Sequence, residues 1–263
     1  MSHRGTNGDV LEIVDVVCGY GETPVLGGVS FSAHPGQLIA IVGPNGAGKT
    51  TLARAIAGLL PVARGTIRVA GQDPRTTARH VLARTLAYLP QRYELAFPFT
   101  ALDIVLMGRY ARHRGPVLDD ASDVAAATEA MQRSDVAHLA DRRFDTLSGG
   151  ERRRVIVAQA LCQGARLLIL DEPTAAIDPA HAIALMRSLA VERDRGAALL
   201  VVTHDLDLAA RAADRVIVMA AGRVVADAPP AAAFADPATA AAFACQLHTG
   251  ELPGGSGRFL VAR

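Results

Sequence analysis

The chain has 263 residues, half of them hydrophobic, which is enough for one large domain or one domain carrying an inserted lobe. Its 27 basic and 26 acidic residues leave a formal charge of +1, which argues against a global pull toward nucleic acid. No uninterrupted apolar run approaches about 18 residues, so no membrane span is expected.

The opening "MSHRGTNGD" is polar and reads as a short tail, not a signal peptide. "VLEIVDVV" and "GQLIAIVG" then read as strands, the second fully buried. "TTLARAIAGLL" has helical spacing and is expected to run to near Pro61. "GTIRVAGQD" follows as strand and turn, and "TLAYLPQ" as a short strand closed by Pro90. From about 92 to 160 the pattern becomes helical: "TALDIVLMGRY" and "DDASDVAAATEAMQRSD" read as helices joined by the charged "ARHRGPVL". This stretch is expected to form a helical lobe inserted into an α/β core. "ARLLILDEP", "AALLVVTHD" and "DRVIVMAAGRVV" read as strands separated by helices, the alternation of a mainly parallel sheet. The alanine-rich "PPAAAFADPATAAAFA" reads as two short helices, and "TGELPGGSGRFLVAR" is left as a tail of unassigned role. Cys18, Cys162 and Cys245 lie far apart without metal spacing and read as reduced thiols.

Between the second strand and the first helix stands "GPNGAGKT", which satisfies G-x-x-x-x-G-K-[ST] at Gly43, Gly48, Lys49 and Thr50. Glycines let a backbone wrap closely around phosphate, the lysine brings a point charge, the threonine hydroxyl suits Mg²⁺, and the helix start adds its positive end. "LLILDEP" sets two acids at the end of a buried strand. Asp171 suits a metal-water ligand and Glu172 a general base aimed at water. His204 ends another apolar strand on what should be the same sheet edge, where a γ-phosphate would be sensed. A second anion-binding turn, Ser148-Gly149-Gly150, opens the helix "GGERRRVIVAQALCQ" about a hundred residues beyond the first. The arginines 152 to 154 behind it are expected to seek carboxylates or solvent.

Taken in order, Tyr20, "GPNGAGKT", Gln91, "LSGGE", "LILDEP", "AAID" and His204 resemble the ATP-binding cassette ATPases over nearly the whole chain. The resemblance implies an α/β fold: a P-loop NTPase core with a mainly parallel sheet, an N-terminal antiparallel β portion and the inserted helical subdomain, all within one domain of residues 1–263, with a short C-terminal tail from about 229. It implies that ATP is held by Gly43, Pro44, Asn45, Gly46, Ala47, Gly48, Lys49, Thr50 and Thr51, with Tyr20 stacked on adenine. Thr50, Gln91 and Asp171 would hold Mg²⁺. Ser148, Gly149, Gly150 and Asp178 would meet the nucleotide of a second copy, so that two chains sandwich two ATPs. Ala175 stands where the family more often has serine, and Glu151 where it more often has glutamine.

Among such proteins, a single short cassette without membrane helices resembles the detached ATPase of an importer, bound to an integral membrane permease dimer on the cytoplasmic face of the cell membrane and served indirectly by a periplasmic substrate-binding protein. A soluble cassette working on nucleic acid or ribosomes would more usually carry two cassettes or a coiled coil, and no heptad run is present. A non-catalytic scaffold is disfavoured by the presence of Glu172 and His204. "AFPFT" followed by "DIVLMGR" resembles the haem, iron-chelate and vitamin B12 uptake ATPases, haem importers most closely. Haem is therefore the expected cargo, with ferric siderophore or cobalamin as alternatives.

Overall fold

The computed structural model describes residues 8–93, 98–112, 120–251 and 258–262. Two antiparallel strands open the chain, β1 (Leu11–Tyr20) and β2 (Thr23–Ala33), and β1 also pairs with β4 (Val62–Val69) to give a three-stranded sheet in the order β2-β1-β4. β2 was not expected from the sequence: Gly27 and Gly28 and its mixed burial blur the period-two signal that a strand is recognised by. Between β2 and β4 lie β3 (Leu38–Val42) and α1 (Lys49–Ile56). α1 stops one turn before Pro61, because Gly58 turns with φ 67°.

After β4 come a single turn, α2 (Arg79–Leu82), and β5 (Leu86–Leu89). The helical lobe follows, with α3 (Ala101–Leu106), α4 (Ala121–Arg133) and the start of α5 (Gly149–Gln163). The helix expected over 100–110 tightens after Leu106 into a 3₁₀ helix, Met107–Arg112. Gly108 lies so close on α5 that a Cβ there would stand 2.4 Å from the Gln159 carbonyl oxygen. Of the connection "ARHRGPVL", residues 113–118 lie outside the described residues; so do Ala96 and Phe97 of "AFPFT".

The rest alternates: β6 (Leu167–Asp171), α6 (Pro179–Asp194), β7 (Ala198–Val202), α7 (Leu206–Ala212), β8 (Arg215–Ala220) and β9 (Arg223–Ala228). "DRVIVMAAGRVV" is thus a hairpin of two strands. The alanine-rich segment forms α8 (Pro230–Ala235) and α9 (Pro237–Phe243), each begun by proline at its first helical position, where the missing N–H costs nothing. The tail pairs with itself as β10 (Leu247–Glu251) and β11 (Arg258–Ala262), and the Leu260 amide donates to Asp207 of α7.

The central sheet has six strands in the order β5-β6-β7-β3-β8-β9, parallel except for the edge strand β9. β3, β6 and β7 are buried at every residue, and their side chains alternate between two cores. Leu38, Ala40 and Val42 face one core, with the helical lobe, α6 and α7; Ile39 and Ile41 face the other, with α1 and the antiparallel sheet. The central strands are therefore anchored from both faces, and their carboxyl ends are fixed relative to one another.

Candidate active site

Neighbouring strands β6, β7 and β3 end at Asp171, Val202 and Val42, so the segments that leave them emerge side by side. Ligands in open α/β sheets collect at this edge. From β3 the chain enters the Gly43–Thr50 loop. Gly43 adopts φ 151° and passes so near β8 that a Cβ would lie 2.1 Å from the Met219 carbonyl oxygen. Gly48 caps α1 in the left-handed region with no side-chain cap and no acidic residue in the first turn, which leaves the amides of that turn and their positive potential unanswered by any side chain. Lys49 is buried, and its ammonium donates to the carbonyls of Gly43 (2.7 Å) and Pro44 (3.0 Å). Burial pulls its pKa down, opposed by the carboxylates of Glu172 and Asp171.

Asp171 is completely buried, and neither carboxylate oxygen reaches hydrogen-bonding geometry with a partner. Burial pushes its pKa up, with the adjacent Thr50 hydroxyl pulling the other way. Two unsatisfied oxygens beside a hydroxyl and a lysine are costly in an apo protein and suit a hard cation. No cluster of three or more His, Cys, Asp or Glu exists among the described residues, so a cation here would need oxygens from a ligand as well.

Glu172 takes a left-handed conformation (φ 54°), rare for a residue with a side chain, and its amide still donates to Val202. The turn aims its carboxylate at the loop after β7, where Oε2 lies 2.7 Å from His204 Nδ1. Glu172 is buried while the imidazole is 71% exposed, so the pair presents an accessible ring backed by a fixed acid. Sequence alone placed these residues on one edge; their direct bond is a product of the β6–β7 register.

Tyr20 is exposed at the end of β1, and its hydroxyl accepts from Arg54 of α1 (3.2 Å). The Gln91 side chain is also exposed. The Ser148 turn lies apart, with no hydrogen bond to the Gly43–Thr51 loop among the described residues. Ser148 caps α5 in a reciprocal box: its hydroxyl accepts from the Glu151 amide (3.3 Å) while Glu151 Oε2 accepts from the Ser148 amide (2.8 Å). Those bonds hold the Glu151 carboxyl below its ordinary pKa. Gly150 packs beneath the Ala176 carbonyl, so the turn abuts the segment leading to Asp178. Asp178 caps α6, accepting from the His181 amide (3.1 Å), and also bonds the His181 ring.

One arginine of the run departs from expectation. Arg152 donates to the Leu147 carbonyl and Arg154 pairs with Asp135, but Arg153 is buried and meets no carboxylate; its guanidinium goes to five main-chain carbonyls. No sequence signal separated it from its neighbours, because its partners lie far along the chain.

A glycine loop on a helix start, with an unpaired buried aspartate and a glutamate–histidine pair on the same sheet edge, defines a P-loop nucleotide-hydrolysing site. A profile described as "ABC transporter" matches residues 26–175, and the chain belongs to that family. It is 49% identical over 209 residues to a hemin import ATP-binding protein of Nocardia farcinica, covering 79% of this chain and 72% of that one. A hemin import ATP-binding protein of Myxococcus xanthus is 38% identical, covering 95% of this chain and 96% of the relative. A cobalamin import ATP-binding protein of Halobacterium salinarum is 41% identical, covering 88% of this chain and 58% of the relative. The solved structure of a nucleotide-free ATP-binding cassette from an ABC transporter superposes with a TM-score of 0.79 at 24% identity, covering 89% of this chain and 98% of that one, a likeness of fold. ATP hydrolysis is the activity of this class.

Proposed function

We propose that this chain is the ATP-hydrolysing subunit of an importer that brings haem across the cell membrane, working as a pair of copies beneath separate permease subunits. The observation that carries the motor assignment is the meeting of Lys49, Asp171, Glu172 and His204 at one sheet edge, with a second anion-binding turn left exposed. The names of the relatives, up to 49% identical, support haem as the cargo. The cobalamin import relative at 41% favours cobalamin as the second reading, and a ferric siderophore follows from the same group resemblance.

In this reading the Gly43–Thr51 loop cradles the phosphates through its amides, and Lys49 exchanges its two loop carbonyls for phosphate oxygens. Thr50, Gln91 and Asp171 would hold Mg²⁺; the fit rests on the two unpartnered Asp171 oxygens beside the Thr50 hydroxyl. When bound, the ion neutralises charge on the transferring phosphoryl group. Glu172 takes the proton of the attacking water at its carboxylate. His204 bonds Glu172 through Nδ1, which leaves Nε2 to face a phosphate oxygen. Tyr20, steadied by Arg54, offers a face for adenine.

The exposed Ser148 turn and Asp178 complete the second copy's site. Bridging ATP favours the closed pair, and hydrolysis removes the bridge, which makes a two-state switch. A cleft of about 210 Å³ between the loop after β5 and the helical lobe, lined by Tyr88, Pro90, Tyr93, Met107 and Gln159, is a place for the permease to dock. No helix among the described residues is long and apolar enough to cross a membrane; the names of the import relatives support a subunit seated on the cytoplasmic face of the membrane. A periplasmic binding protein would deliver the cargo from the other side, and nucleic acid has no part.

The test is growth and labelled uptake in a strain lacking the gene, given haem as sole iron source, with ferric siderophore and cobalamin in parallel arms. Loss of haem use alone, rescued by wild type and not by Lys49→Ala, is expected. Loss of a different cargo with haem use intact overturns the haem assignment and keeps the motor.

A further inference from the structure

Arg153 and Arg154 are both buried, and Arg153 is the one of the run that donates to main-chain carbonyls from all three guanidinium nitrogens. Nη1 donates to the carbonyls of Pro90 (2.8 Å) and Gln91 (3.4 Å), Nη2 to those of Asp171 and Glu172 (2.7 Å), and Nε to that of Pro173 (3.4 Å). The acceptors fall in two groups. One is the start of the loop that lines the cleft below the helical lobe; the other is the strand end that carries both candidate acids.

Burying a guanidinium without a carboxylate carries a desolvation cost, which its hydrogen bonds to carbonyls must offset. Desolvation works against its charge, and the field of Asp171 and Glu172 sustains it. What the planar fork supplies is geometry: five donors fixed in one plane tie together segments that share no strand ladder. Glu172 needs such support, because its left-handed backbone is costly and its carbonyl is one of the five acceptors. Arg153 also stands on α5, five residues beyond Ser148, so any shift of that helix start moves the fork.

We propose that Arg153 is a positioning residue that holds Gln91, Asp171 and Glu172 in one register and links that register to the Ser148 turn. One chain would thereby couple its own catalytic strand end to the nucleotide that its α5 binds on the second copy, and to whatever occupies the cleft. This inference rests on the site reading above, in which Glu172 is the base and Ser148 serves the second copy.

The experiment uses the purified full chain, with Arg153→Met, Arg153→Lys and Glu172→Gln measured beside wild type. ATPase rate against ATP concentration, equilibrium ATP binding and the thermal unfolding midpoint are read for each. For Arg153→Met, a kcat lowered about 10²-fold is expected, as for a misplaced catalytic group, with KM and ATP affinity within about twofold. Its Hill coefficient should fall toward one, and its unfolding midpoint should fall, because Met leaves five main-chain carbonyls without their donor. Arg153→Lys, with charge but no fork, should recover part of kcat. Wild-type kcat and Hill coefficient in Arg153→Met overturn the proposal, as does a kcat loss matched by an equal loss of ATP affinity. Should Arg153→Met fail to fold, Arg153→Lys decides: lowered kcat at wild-type KM and midpoint supports the proposal, and wild-type kcat overturns it. Glu172→Gln separates the two layers. If it hydrolyses ATP normally, the site reading fails; if it is inactive while both Arg153 variants are normal, only the coupling fails.

Discussion

The two anion-binding turns of this chain have the same ingredients, glycine amides at a helix start with a hydroxyl close by, yet they are finished in opposite ways. At the first, Gly48 leaves the start of α1 without a side-chain cap, Lys49 is buried, Asp171 has two unpartnered oxygens and Glu172 is held at positive φ. At the second, Ser148 and Glu151 cap each other, and both Ser148 and Gly149 are exposed. The first site is unfavourable without a ligand and pre-arranged for one. The second is content in water and offers only a surface, as expected of a half-site that another copy's nucleotide must complete. Unpaired polar groups are expected where a chain does its own chemistry and satisfied caps where it lends a surface, and the roles proposed for the two turns follow that division.

The largest break in this comparison should come from Glu172→Gln. Loss of a positioned base predicts a fall in kcat of roughly 10²–10⁴-fold with ATP binding kept. Size-exclusion chromatography with ATP and Mg²⁺ should then show a trapped dimer, and a monomer would remove Glu172 from its assigned role. Ser148→Arg attacks the other turn. Each monomer should still bind ATP with wild-type affinity, while dimerisation in a Glu172→Gln background is lost and hydrolysis in the otherwise native chain falls about 10²-fold, as when a pre-arranged anion contact is removed. Unchanged dimerisation would mean that the second turn is only a helix cap.

The smallest effect concerns stability. Because burial raises the pKa of Asp171 above its unfolded value, the folded state is favoured while the carboxyl is protonated, and that advantage is lost as pH rises through the folded pKa. Once ionised, the group therefore works against folding. Asp171→Asn should raise the unfolding midpoint of the ligand-free protein by about 2–4 °C per kcal/mol relieved above the raised folded pKa, and the gain should shrink as pH falls from there to the ordinary carboxylate range. Added Mg²⁺ and ATP should stabilise wild type more than the variant. A lowered midpoint at neutral pH would mean that Asp171 has a partner in solution.

What could be read without coordinates was whatever depends on near neighbours in the chain. The loop 43–50 declares its chemistry in eight residues, the apolar runs ending at Asp171 and before His204 announce buried strands, and the two prolines at 230 and 237 start short helices. β2 escaped because its glycines blur the alternation, and the helix over 100–110 changed pitch because α5 presses on Gly108. The sequence by itself determined the family and the fold class and named the candidate reacting groups, since each motif is a local pattern with its own mechanism. Only the tertiary structure decided which groups touch: Glu172 meets His204 across 32 residues and Arg153 meets Pro90 across 63. Those contacts exist because the sheet order sets β6, β7 and β3 side by side and α5 beneath the loop after β5, and strand order is a property of the packed chain that no local pattern encodes.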